Sequence, residues 1–407
     1  MSSILLAGVD VGTTKTTAVI AELNGDPRLR VKVLGIGQSK SAGLRRVVTN
    51  IEETTEAVKA ALQEAEVMAG HNVSRVYVAI GGDHIQACQS LGVVRVGNDE
   101  ISRQDLERVH DVARAVALPP DRELLHALPQ QYIVDHQQGI KDPVGMAATR
   151  LETEVLVVTC AATAAENIRK AVQRAGYCVQ ELVLEPLSSS RAVLTEDEKE
   201  VGVAMIEMGA GTTDVTAYLD GEIMYTAVFP IGGETVTNDL VRGLSVPFVE
   251  ACRAKEQFGI ACAQMVDPQE TVELPGPSPN QKRHVARELI AHIIEQRMDE
   301  LFGLIHADLL KKDLLDRLGA GIVLTGGAAT LRGTLELAQQ VFAAPVRYGV
   351  PEEGIYGLSE ALRRPRFATA AGLVLYGADR YRETGKGGST IGSGALSRAA
   401  AWLKEFF

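Results

Sequence analysis

The 407-residue chain has little aromatic content: one Trp, eight Phe and nine Tyr. Three of these lie close together at the end, Trp402, Phe406 and Phe407 in "WLKEFF". No apolar run approaches the roughly 20 residues that a membrane-spanning helix needs. No basic segment or cleavage site accompanies the strand-like "ILLAGVDVG" near Met1, so no signal peptide is expected. Positive charge is in deficit: 41 Lys and Arg against 52 Asp and Glu, a net charge of −11. That balance argues against a general nucleic-acid binder. The five Cys (Cys88, Cys160, Cys178, Cys252, Cys262) lack metal or redox spacing and read as reduced thiols of a cytosolic protein. Eight His show no ligand spacing and read as structural or surface residues. What remains is 46% apolar and 23% charged, enough for large cores in two to four domains.

Two stretches resemble each other. "AGVDVGTTKTTAVIAELNGD" begins at Ala7 and "AMIEMGAGTTDVTAYLDGE" at Ala204. Each reads as strand, acidic residue, Gly-rich turn with Thr, strand and polar turn, followed by a third strand. Glycine lets such a turn adopt positive φ and lets a ligand approach its backbone. Successive N–H groups can form an anion nest. The adjacent acid suits a hydrated cation, because Mg²⁺ keeps several waters and meets protein through one or two carboxylates. Two facing hairpins of this kind would clamp a polyphosphate. A single copy reads most simply as a tight turn; two copies in register do not.

After the first unit, Ile51, Val58, Leu62 and Ala65 share one face of an amphipathic helix. The strand "RVYVAIGG" follows. After the second unit, helices are predicted near residues 235–242 and 247–258, then a Pro- and Gly-rich loop, "VELPGPSPNQ". A long helix is predicted from about His284 to Lys311, then a strand and Gly turn, "GIVLTGGAATLRG". Strands alternating with helices in two similar halves predict an α/β fold with a cleft between them. Ligands in such folds sit beyond strand ends.

"DVGTTKT", "EMGAGTTD" and "VLTGGAATLRG" resemble the two phosphate motifs and the adenosine motif of the superfamily of actins, heat-shock chaperone ATPases and sugar kinases. Within it, "YVAIGGDHI", "HALPQQYIVDHQQGIKDPVGM", "AVLTEDEKEVGVAMIEMGAGTTD", "GIVLTGGAA" and "WLKEFF" resemble, in order, segments of the FtsA family of bacterial cell-division proteins. The resemblance implies an actin-like two-domain ATPase fold with an FtsA-type inserted subdomain. The implied boundaries are a first core over 1–81 and 160–200 and the insert over 82–159. A second domain would run over 201–378, with a small subdomain at about 235–312 and a return to the first domain from about 350. A flexible linker over 379–394 and an amphipathic membrane-targeting helix over 395–407 would follow.

The resemblance also implies an ATP and Mg²⁺ site. Asp10 and Asp214 would face the cation, each through water. Gly12, Thr13, Thr14 and Lys15 would hold the β- and γ-phosphates, and Gly209, Gly211, Thr212 and Thr213 would close the other side. Gly326, Gly327 and Ala328 would let adenosine lie against backbone. Lys255 matches a family Lys, with a solvated or structural role equally open. Glu234 reads as a helix-start residue beside the hydroxyls of Thr235 and Thr237. The chain departs from the motifs at Glu207 and Ala210, which stand where Asp and Gly are usual, and at Cys252, which replaces a Glu. No side chain is identifiable as the one that positions the attacking water. Nucleotide is therefore read as an assembly ligand, with slow hydrolysis at most.

In the tail, Gly and Ser dominate the second half of "DRYRETGKGGSTIGSG", a linker composition. On a helical projection, Leu396, Trp402, Leu403, Phe406 and Phe407 share a broad apolar face. The segment is too short to span a bilayer and suits lying in its interface; a helix docked on protein is the alternative. One such helix binds weakly, and an array on a filament binds tightly. The family resemblance implies filaments, the tail of the tubulin-like protein FtsZ as partner, other division proteins, and the cytoplasmic face of the membrane at the division site. Arg287, Arg297, Lys311 and Lys312 would meet the acidic FtsZ tail. A sugar or acid kinase, or a pilus-assembly relative, are the competing readings; both leave the terminal helix unexplained.

Overall fold

The computed structural model describes residues 4–23, 30–41, 43–45, 47–276, 281–384 and 389–390. The chain opens with β1 (Ile4–Val11), β2 (Lys15–Leu23) and β3 (Val31–Lys40). A small clip, β4 (Leu44–Arg45) and β5 (Val47–Val48), leads into α1 (Ile51–Ala69) and β6 (Arg75–Ile80). It then leaves to build a separate sheet from β7 (Gln86–Arg95), β8 (Arg122–Val134), β9 (Gln137–Ile140) and β10 (Arg150–Ala161), with α2 (Arg103–Arg114) against it. Return is through α3 (Ala162–Arg174), β11 (Cys178–Leu184), α4 (Glu185–Val193) and α5 (Glu196–Val201).

The second half begins with β12 (Val203–Met208), β13 (Thr213–Leu219) and β14 (Glu222–Phe229). Helices α6 (Gly233–Leu244) and α7 (Phe248–Phe258) follow, then a hairpin of β15 (Thr271–Pro275) and β16 (Lys282–Ala286). Next come α8 (Arg287–Lys311), β17 (Gly321–Thr325), α9 (Thr334–Phe342) and β18 (Val346–Tyr348). The chain crosses back with β19 (Ile355–Gly357), α10 (Ser359–Leu362), α11 (Ala368–Thr384) and β20 (Ser389–Thr390).

The sequence repeat is a topological repeat. One sheet runs β11-β6-β1-β2-β3-β19 and the other β14-β13-β12-β17-β18. In each, a three-strand antiparallel meander continues into two parallel strands on the far side of its first strand. All seven residues of β13 are buried. Burial on both faces extends to its polar residues Thr213, Asp214 and Thr216, so the strand does not show the polar-out alternation of a sheet with one solvated face. In the first sheet, α1 covers β2 and β3 while α11 and α4 pack together behind β1.

Helix α1 is capped at Asn50, whose side chain accepts from the N–H groups of Glu52 (3.0 Å) and Glu53 (3.3 Å). It ends at Gly70 with φ +68°, the left-handed conformation that glycine adopts freely. Helices α4 and α11 touch backbone to backbone: a Cβ on Gly372 would sit 1.8 Å from the Ser188 carbonyl oxygen. Gly372→Ala is therefore expected to lower stability by about 1–3 kcal/mol through overpacking, read as a shift of the urea midpoint at unchanged slope.

Three expectations are revised by pairing. The linker does not begin at Asp379, because α11 continues to Thr384. Its end is held by Arg191, whose guanidinium donates to the Asp379 carboxylate (2.6 and 3.3 Å). Beyond it, Ser389 and Thr390 pair with Leu5 and Ile4 of β1. The long helix starts at Arg287 rather than His284, because residues 282–286 form β16 against β15, which takes up the "VELP" of the expected loop. Arg287 and Arg297 already have acidic partners within the chain. Arg287 pairs with Glu270 at 2.5 Å and Arg297 grips Asp239 (2.6 and 3.1 Å). The terminal segment with Leu396, Trp402, Leu403, Phe406 and Phe407 lies outside the described residues.

Candidate functional site: an acidic cleft between two hairpin turns

The two halves face each other across their first hairpins. In one, the Gly12 N–H donates to the Lys15 carbonyl at 3.1 Å; in the other, the Gly209 N–H donates to the Thr212 carbonyl at 2.9 Å. This shared closure makes Asp10 and Glu207 equivalent, each two residues before its turn. Between the turns lies a cavity of about 120 Å³ lined by residues of both hairpins, with Glu185, His84 and Arg366 among its walls.

Strand register explains its electrostatics. Asp214 lies directly opposite Glu207 on the adjacent strand, and cross-strand neighbours point to the same face. Like charges so placed, away from water, cannot both stay ionised. Burial, and Glu207 beside it, push the Asp214 carboxyl up to about 8. The same two causes raise Asp10 to about 7. Glu185, the first residue of α4, is held well above the usual carboxylate range by burial and by Asp214, Asp10 and Glu207.

Glu207 has partners of its own. Ser189 Oγ on α4 and Thr369 Oγ1 on α11 both donate to its carboxylate at 2.5 Å. The extra methylene relative to Asp lets it reach helices of the other half, so it fastens the two halves at the cleft floor. Asp214 is less satisfied: Thr212 Oγ1 donates to one oxygen at 3.3 Å, and Oδ1 is buried without a hydrogen-bond partner among the described residues. A carboxylate oxygen aimed into a cavity among three other acids fits a hydrated divalent cation. The cation would reverse the pKa logic and ionise the group.

The expected residues do not all converge. Asp10, Gly12, Thr13, Gly209, Gly211, Thr212, Asp214, Gly326 and Gly327 line the cavity. Gly326 is there because nothing larger fits: its φ is +87°, and a Cβ would lie 2.5 Å from the Met208 carbonyl oxygen. Thr14 and Lys15 are exposed at the start of β2, where Lys15 pairs in register with Lys40, and do not line the cavity. Thr213 is turned inward, donating to the Ile231 carbonyl at 2.8 Å. Lys255 is held by the first turn of α6, donating at 2.7 Å to both the Gly233 carbonyl and Thr237 Oγ1, and burial lowers its pKa. It stays near the cleft: a Cβ on Gly233 would meet Lys255 Nζ at 3.5 Å and Ala328 Cβ at 3.3 Å.

Sequence reasoning missed Glu185, His84 and Arg366. Glu185 comes close to the turn after β6, since a Cβ on Gly81 would sit 2.4 Å from its Oε2. Its signal was an acid beside Pro186 where a strand runs directly into a helix. His84 carried no signal, because an isolated His is ordinarily a surface or core residue. Arg366 belongs to a short turn before α11, and only the crossing back of the chain brings it to Gly327.

A family model described as "Cell division protein FtsA" matches residues 204–372, and one described as "SHS2 domain inserted in FTSA" matches residues 82–159. The Pseudomonas aeruginosa "Cell division protein FtsA" is 41% identical over 413 aligned positions, spanning 99% of this chain and 98% of its own. The Neisseria meningitidis protein of the same description is 39% identical, covering 98% of each chain. That of Escherichia coli K12 is 35% identical, covering 98% and 96%.

Among solved structures, a PilM-PilN type IV pilus biogenesis complex aligns with TM-score 0.66 at 16% identity, over 92% of this chain and 98% of that one. Spiroplasma citri MreB5 bound to ADP aligns with TM-score 0.55 at 12% identity, over 94% and 99%. At such identities these two share the fold alone, so the pilus-assembly reading gains nothing further from them. The full-length matches are of another order, and the chain belongs to the FtsA family of cell division proteins, built on an actin-like two-domain α/β fold with an inserted SHS2 domain.

Proposed function

We propose that the protein binds ATP with Mg²⁺ in the cleft, assembles into actin-like filaments, and tethers FtsZ filaments to the cytoplasmic face of the cell membrane at the division site. The observation that carries the nucleotide reading is the buried, unpartnered Asp214 Oδ1 between two glycine turns. A buried polar atom of this kind costs stability unless a ligand or water satisfies it. Asp10 and Asp214 would hold the cation, and the backbone N–H groups of the two turns would receive the phosphates. Thr14 and Lys15 would reach them from the exposed start of β2, and Thr213 would support the second turn from behind. Gly326, Gly327 and Ala328 would take adenosine, with Lys255 beside them. Bound Mg²⁺ would supply charge neutralisation for the phosphates. Glu185 would accept a hydrogen bond from the attacking water, the role for which no candidate was evident in the sequence. With no second group oriented for it among the described residues, turnover is expected to be slow.

The division partners follow from family membership; filaments, the FtsZ tail and the lipid surface extend that reading. The extended β20 pairing moves the end of the anchored body to Thr390. A chain ending at Thr390 should keep its fold and lose vesicle flotation, with the full-length protein floating on anionic vesicles and more so with ATP. Trp402→Glu alone should cut the floated fraction at least about tenfold, since a charge replaces the largest apolar contact with the interface. Equal flotation of the shortened chain would move the membrane site onto the body and overturn the tail's role.

A further inference from the structure

His84 stands at the neck of the inserted sheet. Strand β6 is flanked by β1 and β11 as parallel neighbours. It ends beside the first hairpin turn and beside the start of α4, beyond the carboxyl ends of those strands, where open α/β sheets take ligands. The chain then runs through Gly81–Ile85 into β7 of the insert. His84 lines the cleft on this loop together with Gly81, Gly82 and Glu185. Both ring nitrogens, Nδ1 and Nε2, are inaccessible and lack a hydrogen-bond partner among the described residues. Burial holds its pKa below the ordinary value, so the ring is a neutral donor and acceptor near pH 7. An imidazole left this way is costly, and a partner arriving in the cleft would relieve it.

The backbone of the same residue is tied to the insert. Arg122, at the start of β8, donates from Nη2 to the His84 carbonyl at 2.9 Å. The same guanidinium donates to Thr159 Oγ1 and to the Thr159 carbonyl, each at 3.0 Å. One side chain thus pins the outgoing and returning chain crossings together. At its other end the insert rests on the second half: Gln130 Nε2, buried, donates to the carbonyls of Ile223 (3.0 Å) and Met224 (3.2 Å) on β14. A shift of the His84 loop is therefore passed to a sheet that touches both halves.

We propose that His84 is a binding residue of the cleft, taking its missing hydrogen-bond partner from the terminal phosphate of the bound nucleotide and thereby setting the orientation of the inserted sheet. The inference rests on the nucleotide reading above and adds to it a specificity residue and a coupling path. It predicts discrimination: a ligand lacking the terminal phosphate leaves the ring unsatisfied.

Fluorescent ATP and ADP analogues with Mg²⁺ are titrated into full-length wild type, His84→Ala and His84→Gln. His84→Ala should weaken ATP about tenfold and ADP less than about twofold, with His84→Gln intermediate. Exposed Cys88 on the insert and Cys178 on the first sheet accept spin labels once half-buried Cys252 is replaced by Ser. Their separation should change with ATP in wild type and stay at its nucleotide-free value in His84→Ala saturated with ATP. Circular dichroism melting checks each variant's fold. If wild type binds no nucleotide, the ATP reading fails and takes the inference with it. If wild type binds ATP while His84→Ala matches it in affinity and in spin-label separation, the inference alone is overturned.

Discussion

Replacing Asp214 by Asn is expected to weaken Mg²⁺-dependent ATP binding about hundredfold and, at the same time, to raise the melting temperature of the metal-free protein. The first effect follows from removing one of the two charges proposed to hold the cation; hydrogen bonds to charged groups are worth about 1.5–3 kcal/mol each. The second follows from geometry. Asp214 is buried opposite Glu207, and the folded metal-free protein holds its carboxyl protonated where the unfolded chain would ionise it; an uncharged amide of the same shape removes that cost. Site and stability pull in opposite directions at this residue. Calorimetric titration with MgATP and thermal melts in EDTA read the two arms separately. Unchanged MgATP affinity in Asp214→Asn would remove Asp214 from the cation site.

The same carboxyl groups set a pH dependence. In the metal-free protein Asp214 keeps its proton up to about pH 8 and Asp10 up to about pH 7, against 3.8 for each ordinarily. Between those limits the folded state binds more protons than the unfolded chain, so the unfolding free energy falls as pH rises. Melting temperature in EDTA should therefore drop from about pH 5 to about pH 8, and less steeply in Asp214→Asn. Added Mg²⁺ should recover part of the loss at the alkaline end. A flat profile in EDTA would mean that these acids are ionised or hydrated in the free protein.

Glu185→Gln is expected to slow ATP hydrolysis about hundredfold, within the range that a positioned proton acceptor contributes, while nucleotide affinity changes little. Its carboxylate starts α4 beside Gly81 and is close enough to Asp10 and Asp214 to feel their charge. A cation between them would ionise it and leave it able to accept a proton. Gln keeps the shape and one acceptor oxygen and loses the basicity. Single-turnover hydrolysis separates this from binding, and a wild-type rate in the variant would exclude Glu185 from the chemistry. In both variants the Ser189 and Thr369 bonds to Glu207 should persist, since neither substitution touches them.

Much of this protein was legible in the chain itself. The two hairpins declare themselves because tight glycine turns with flanking apolar strands leave a local signature, and repetition makes it specific. The terminal aromatics declare themselves because so few others exist to compete with them. The expected boundary of the long helix differs because residues 282–286 take their strand partner in β15, with His284 opposite Glu273, and pairing partners are invisible to local propensity. Asp379 reads as linker because its polar neighbours resemble one; in the fold it lies within α11 and pairs with Arg191, far off in sequence.

The sequence by itself determined the repeat, the glycine turns and the acids beside them, because these depend on residue type at short spacing. Only the tertiary structure decided which acids share a face, that Glu207 fastens two helices of the opposite half, that Lys255 is bound to α6, and that the His84 ring lines the cleft with no partner among the described residues. Those outcomes depend on register between strands and on the close approach of α4 and α11, where distant segments meet at distances no local pattern encodes.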